Sequence, residues 1–271
     1  MPPPPGANRL EAAHVAGGEA RRAVVMLHGI YGRGRNWQAI ARALVAARPE
    51  YGCWLVDLPH HGASGPGAHG ETVSGLAADV SEWLDANGIV PAGMLGHSFG
   101  GKVALAIARR LATIPLQLWI VDSTPDVKPP SGSAWEMLQI VRRLPARFPS
   151  REAAADALTR AGFSPGVAQW MTTNLAREGD GFVWHLDFDA MERLLRDFFS
   201  CDLWDVVERP APQHHIHFVK ASESSAISQQ AVARIEAAAR DRVQLHRVQG
   251  GHWIHAESPD VVVALLVENL A

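Results

Sequence analysis

The stretch Met94–Lys102, MLGHSFGGK, holds a serine between glycines, preceded by the apolar run AGML (92–95) and followed by GGKVALAIARRLA, whose apolar residues recur at helical spacing. Gly96-His97-Ser98-Phe99-Gly100 is a GxSxG pattern. By itself such a pentapeptide is common. Set between a strand and a helix it places Ser98 on a tight elbow, where a side chain at either flank would clash and glycine relieves the clash.

Outward from this elbow, short apolar runs rich in β-branched residues alternate with helical patterns. The runs are AVVML (23–27), CWLVDL (53–58), LQLWIVD (116–122), HIHFVKA (215–221) and VQLHRV (243–248), with a further strand expected over Leu10–Val15 before a turn at Gly17 and Gly18. NWQAIARALVAA, VSGLAADVSEWLDA, QQAVARIEAAA and SPDVVVALLVENL read as helices. This alternation predicts an α/β fold with a mostly parallel central sheet flanked by helices. From about Pro125 to Arg209 the rhythm breaks, and WEMLQIVRRL, SREAAADALTRAG, GVAQWMTTNLA and DFDAMERLLRDFF suggest helices separated by Pro and Gly. So long an insertion is not a structureless loop. The expected organisation is a core of residues 9–124 and 210–271, a helical cap over 125–209, and a disordered N-terminus at 1–8.

Composition narrows the partners. Hydrophobic residues at 47% and charged residues at 20% describe a globular chain. A formal net charge of −3 offers no basic footprint for nucleic acid. No window reaches the roughly 18 apolar residues of a membrane span, and the proline-rich start MPPPPGANRLEAAH lacks the apolar stretch of a secretory signal. The two cysteines, Cys53 and Cys201, form no CxxC or metal-ligand spacing. A cytoplasmic protein acting on a small molecule, as monomer or homodimer and without nucleic acid or membrane as partner, is the expectation.

A serine hydroxyl is a poor nucleophile near neutral pH and needs a base, which an acid in turn orients. Of thirteen histidines, His252 stands out: it follows Gly250 and Gly251 after the last expected strand, at the sheet edge where the elbow lies. His97 lies inside the motif, but its side chain leaves the elbow in another direction, so packing is its expected role. His60, His61, His214, His215 and His217 could suggest a metal. Adjacent histidines in a strand alternate faces, however, and these lack carboxylates at a recognised spacing, so no metal is expected.

LHGIYGRGRNW (27–37), VDLPHHGAS (56–64), GHSFGGK (96–102) and GGHWIHAESP (250–259) together resemble the α/β-hydrolase superfamily, in the family's order and over most of the chain outside the cap. GHSFGGK with GHWIHAESP is similar to a subgroup of intracellular serine esterases that includes bacterial short-chain and acyl-thioester hydrolases. The resemblance implies Ser98 as nucleophile, His252 as base, and an oxyanion hole built from the backbone N–H groups of Ile30 and Phe99. Many members carry the acid after the seventh strand, where this chain reads VKASESSAIS with Ser224 at the usual position and Glu223 beside it. The resembling subgroup takes its acid after strand six, where LQLWIVD ends in Asp122 followed by Ser-Thr-Pro. Asp122 is favoured and Glu223 stays open. Asp57, another strand-end carboxylate, is expected to organise its own loop.

The implied activity is hydrolysis of carboxylic esters, or thioesters, of small or medium acyl or aryl groups through an acyl-enzyme, with no cofactor. A carbon–carbon bond hydrolase, a lactonase or a perhydrolase shares the same triad, and a non-enzymatic ligand-binding member shares the fold. Trp135, Met137, Trp170, Met171, Trp184, Phe188, Phe198, Phe199 and Trp204 give the cap much apolar surface. Tyr31, Trp135, Trp170 and Trp253 are the expected substrate contacts.

Overall fold

The computed structural model describes residues 10–238 and 242–271; the N-terminal segment expected to be disordered, 1–8, lies outside them. The first strands are β1 (Ala12–Ala16), β2 (Arg22–Leu27) and β3 (Tyr51–Val56), with helix α1 (Gln38–Ala47) between the last two. Helix α2 (Val73–Ala86) then leads to β4 (Pro91–His97), α3 (Phe99–Arg110) and β5 (Leu116–Val121). After a long insertion come β9 (His214–Ala221), α9 (Gln229–Ala238), β10 (Val243–Val248), the short α10 (Ile254–Glu257) and α11 (Pro259–Asn269). Seven strands form one sheet in the order β1-β3-β2-β4-β5-β9-β10, every neighbour parallel except β1 against β3.

Parallel strands are covered on both faces, which is why their sequences are near-continuous apolar runs. In β2, Val24 and Met26 point into a core with Ile40 and Leu44 of α1 and Val262 and Leu266 of α11. Val25 and Leu27 point the other way, toward Leu76 of α2 and Val103 and Ile107 of α3. One periodicity therefore builds two cores.

The insertion contains α4 (Ser133–Val141), α5 (Arg151–Arg160), α6 (Pro165–Met171), α7 (Phe188–Ser200) and α8 (Trp204–Glu208). It is not helical throughout: β6 (Arg147–Phe148), β7 (Leu175–Glu178) and β8 (Gly181–Trp184) form a small antiparallel sheet in the order β6-β8-β7. Strands of two and four residues are too short to display an alternating pattern, so their sequences carried no strand signal. Among the described residues the insertion begins after the fifth strand of this chain, not after the sixth that the resemblance implied.

Polar contacts, from part-buried to exposed, tie the insertion to the core. The Lys102 ammonium, fully buried in α3, donates to the Asp126 carbonyl at 2.7 Å and the Phe198 carbonyl at 2.6 Å. The Val73 N–H, in the first turn of α2, donates to the Asp197 carboxylate at 2.6 Å, and Arg193 makes a two-point pair with Glu71 at 2.7 and 2.9 Å.

Candidate active site

The parallel register delivers the site to one edge. His97, Val121 and Val219 are paired across β4, β5 and β9, so the residues that follow them emerge together at the C-terminal ends of the strands. Ser98 follows β4 with φ 51° and ψ −115° and caps α3, and its N–H donates to the Val121 carbonyl at 2.9 Å. A non-glycine residue in that region is strained by about 1–3 kcal/mol. The glycines let it exist: a methyl on Gly100 would stand 2.7 Å from the Leu27 carbonyl oxygen, and one on Gly96 2.7 Å from the Gly101 Cα.

Asp122 follows β5, also left-handed at φ 45°, and is fully buried. Its N–H donates to the Val219 carbonyl at 2.8 Å, and its carboxylate accepts from the Ala221 N–H at 3.3 Å and from the Ser224 hydroxyl. His252, in the loop after β10, bridges the two. Its Nδ1 lies 2.6 Å from the Asp122 carboxylate, so that nitrogen carries the proton, and its Nε2 lies 3.0 Å from the Ser98 hydroxyl, which donates to it. Ser98, His252 and Asp122, drawn from three distant segments, thus form one hydrogen-bonded chain. Glu223 is exposed and accepts instead from the Gln249 side chain at 2.7 Å.

Above Ser98 lies the loop after β2. Among the described residues, neither the Ile30 nor the Phe99 N–H has a hydrogen-bond partner within the chain, the latter because the first N–H groups of a helix have none. His28 fixes this loop. Its Nδ1–H donates to the Gly29 carbonyl at 2.8 Å while Nε2 accepts from the Leu58 N–H at 3.0 Å, and burial pushes its pKa down to about 4, so the ring stays neutral. Asp57 organises the adjoining turn by accepting from the Gly34 and Ala63 N–H groups at 2.6 and 2.9 Å.

Sequence reasoning missed two supports. Packing alone was expected of His97, yet its Nε2–H donates to the His252 backbone carbonyl at 2.8 Å, holding the loop that carries the His252 ring. Ser224 occupies the place where the resemblance puts the acid of many members, and here its hydroxyl donates to the Asp122 carboxylate. The first left no signal in the sequence. The second did, as a departure from the usual residue.

A cavity of about 210 Å³ opens on Ser98 and His252, between the core and the residues of α4 and α7. None of the four expected substrate contacts is among its walls. Tyr31 is buried, its hydroxyl donating to the Ala134 carbonyl at 2.9 Å and its own carbonyl accepting from Asn174 at 2.8 Å. Trp135 turns its edge to Phe199 at 6.3 Å, beneath the Arg196 guanidinium at 5.1 Å. Trp170 packs on Trp253 at 4.5 Å, and Trp253 backs the His252 ring at 5.3 Å. These aromatics pack within the insertion or between it and the core, while Ile30, Phe99, Leu195, Phe198 and Phe199 supply the apolar wall. Among the described residues no group of three His, Cys, Asp or Glu could hold a metal ion. His61 donates to the Pro59 carbonyl, His214 to the Leu111 carbonyl, and His217 is stacked on Trp119.

An elbow serine, an imidazole that bridges it to a buried carboxylate, and two unclaimed N–H groups at one edge of a parallel sheet define the architecture of a serine hydrolase. A model described as the alpha/beta hydrolase family matches residues 24–265, and the chain belongs to that family. It is 28% identical over 240 residues to the sn-1-specific diacylglycerol lipase ABHD11 of Xenopus laevis, covering 86% of this chain and 75% of the relative. It is 28% identical over 258 residues to Esterase YbfF of Escherichia coli, covering 89% of each. In structure it is similar to a marine microorganism esterase, with a TM-score of 0.81 and 22% identity over 96% of this chain and 99% of that one.

Proposed function

We propose that the protein hydrolyses carboxylic esters of small or medium acyl or aryl groups, thioesters included, through an acyl-enzyme on Ser98. The carrying observation is the position of His252, 3.0 Å from the Ser98 hydroxyl and 2.6 Å from the Asp122 carboxylate. His252 takes the hydroxyl proton as Ser98 Oγ attacks the acyl carbon, and Asp122 holds the ring in the Nδ1–H tautomer and stabilises the imidazolium that forms. The Ile30 and Phe99 N–H groups donate to the oxygen that becomes negative in the tetrahedral intermediate. Collapse expels the alcohol or thiol, protonated by His252; water, deprotonated by the same ring, then frees the acid and regenerates Ser98.

In this reading residues 9–124 and 210–271 form the catalytic core and 125–209 its cap, a division supported by a cavity with walls from both. The cavity of about 210 Å³ falls below the ~300–1,000 Å³ typical of ligand pockets, which favours short acyl groups. The names of the relatives, a lipase and an esterase, support the reaction class. Both cysteines are free, which suits a reducing compartment such as the cytoplasm. A small ester is the partner the chemistry calls for, with the enzyme as monomer or homodimer and no cofactor.

The test is labelling by a fluorophosphonate together with turnover of 4-nitrophenyl esters of increasing acyl length. Wild type is expected to label and turn over, and Ser98→Ala to do neither. Absent labelling would favour a ligand-binding member of the fold; labelling with turnover of a lactone or diketone alone would replace the ester reading.

A further inference from the structure

The cavity beside Ser98 contains one feature that ester hydrolysis does not require. Lys128 lies on its wall, half-buried, in the segment between β5 and α4. Among the described residues its ammonium has no hydrogen-bond or ion-pair partner; Nζ lies 5.9 Å from the centroid of the Phe199 ring. Lys102, more deeply buried, shows how this fold treats a lysine that serves structure: its ammonium is satisfied by two carbonyls at 2.7 and 2.6 Å.

The neighbouring carboxylates are committed elsewhere. Asp122 is held by His252, Ser224 and the Ala221 N–H. Asp126 accepts from the Trp204 indole at 2.6 Å, and the exposed Glu223 from Gln249. Burial lowers the Lys128 pKa while Asp126 and Asp122 oppose the shift. Withdrawing a cation from water without a partner costs free energy, and such groups mark ligand sites when they face a cavity. The same wall carries the hydroxyl-bearing Ser131 and Ser133 at the start of α4, whose cap residue Gly132 offers no side-chain acceptor. These are donors, and they suit the same kind of ligand.

We propose that Lys128 is a specificity-determining residue that receives a carboxylate on the substrate, so that the preferred class is small esters bearing a negative charge. This rests on the ester-hydrolase reading and names its substrate class. A single ammonium with flanking hydroxyls matches a carboxylate monoanion in charge and hydrogen bonding.

The experiment compares kcat/KM for two matched pairs: monophenyl adipate against phenyl 5-carbamoylpentanoate, and 4-carboxyphenyl butyrate against 4-carbamoylphenyl butyrate. The first pair carries the charge on the acyl side, the second on the leaving side. Wild type is expected to prefer the carboxylate of at least one pair, and Lys128→Met to shrink that preference about tenfold while Lys128→Arg retains it. A carboxylate-to-amide ratio that is the same in wild type and Lys128→Met for both pairs overturns the proposal. Calorimetry with adipate reads the subsite without turnover: binding to Ser98→Ala is expected to be about tenfold tighter than to Ser98→Ala/Lys128→Met. That difference sustains the subsite even if no ester is hydrolysed, in which case only the reaction is wrong; equal affinities refute it.

Discussion

Moving the acid from residue 122 to residue 224 is the most demanding check on the site's geometry. Ser224 Oγ and His252 Nδ1 both bind the same Asp122 oxygen, so the two atoms are no more than about 5 Å apart. A carboxylate at 224 is one atom longer than the hydroxyl it replaces and reaches the space that Asp122 vacates. Glycine suits the vacated position because φ there is 45°. Asp122→Gly removes the partner that fixes the His252 tautomer; replacing the corresponding acid of a serine protease lowers kcat about 10⁴-fold, equivalent to about 5.4 kcal/mol of barrier. The expected fall here is about 10³–10⁴-fold. Asp122→Gly/Ser224→Asp is expected to recover about 10–100-fold of it, falling short because the relocated acid lacks the Ala221 N–H bond. Hydrolysis of 4-nitrophenyl butyrate supplies the rates, and thermal melts confirm folding. Glu223→Gln, whose parent side chain is turned to Gln249, is expected to stay within about threefold of wild type. An active Asp122→Gly, or a Glu223→Gln that falls further than it, would refute the assignment.

Three further outcomes follow from the supports around the site. His97→Ala frees the loop bearing His252 and is expected to lower kcat about 10–100-fold with little change in KM, partly restored by His97→Gln; an unchanged kcat would return His97 to a packing role. Gly100→Ala drives a methyl against the Leu27 and His28 carbonyls and is expected to cost about 1–3 kcal/mol in urea unfolding, with slower fluorophosphonate labelling. Burial pushes the pKa values of His28, His61 and His255 down to about 4, 3 and 4, below the ordinary histidine value near 6.5. Between those values and 6.5 the unfolded chain binds the extra protons, so stability is full above about pH 6.5 and is lost as pH falls toward 4. Three such groups give a slope of up to about 4 kcal/mol per pH unit near pH 5, checked by urea midpoints from pH 7 to 5; a flat profile would show that the rings are not held neutral.

Strand runs and the elbow were readable because both are local. An all-apolar VVML or LQLWIV admits few other fates, and a serine among glycines between strand and helix specifies a turn. The choice between Asp122 and Glu223 was not local, since both follow strands. Asp122 is favoured by the pairing of Val121 with Val219, which brings it beside Ala221 and leaves Glu223 facing Gln249. The cavity wall was illegible for a related reason. Amphipathic spacing shows which side of α4 or α7 is buried but not whether it meets a cavity or another helix, so Trp135 and Trp170 were expected at the ligand and are instead in the packing.

The buried histidines bear on the chemistry as well as on stability. The His97 ring lies 4.8 Å from the His252 ring and 4.4 Å from that of His255, so three imidazoles cluster beside Ser98. During attack only His252 needs to become a cation. Burial holds His97 and His255 neutral, and a positive His252 disfavours their protonation further. His252 is set apart by its placement, partly exposed and 2.6 Å from a carboxylate, the one partner in the group that stabilises positive charge. A carboxylate placed beside His97 instead would divert the proton and compete for the charge. His255→Asp is therefore expected to lower kcat more than the neutral His255→Asn, with the gap narrowing as the pH falls and the new acid is protonated. Equal rates for the two variants across pH 5–8 would show that the neutrality of this cluster has no part in proton transfer.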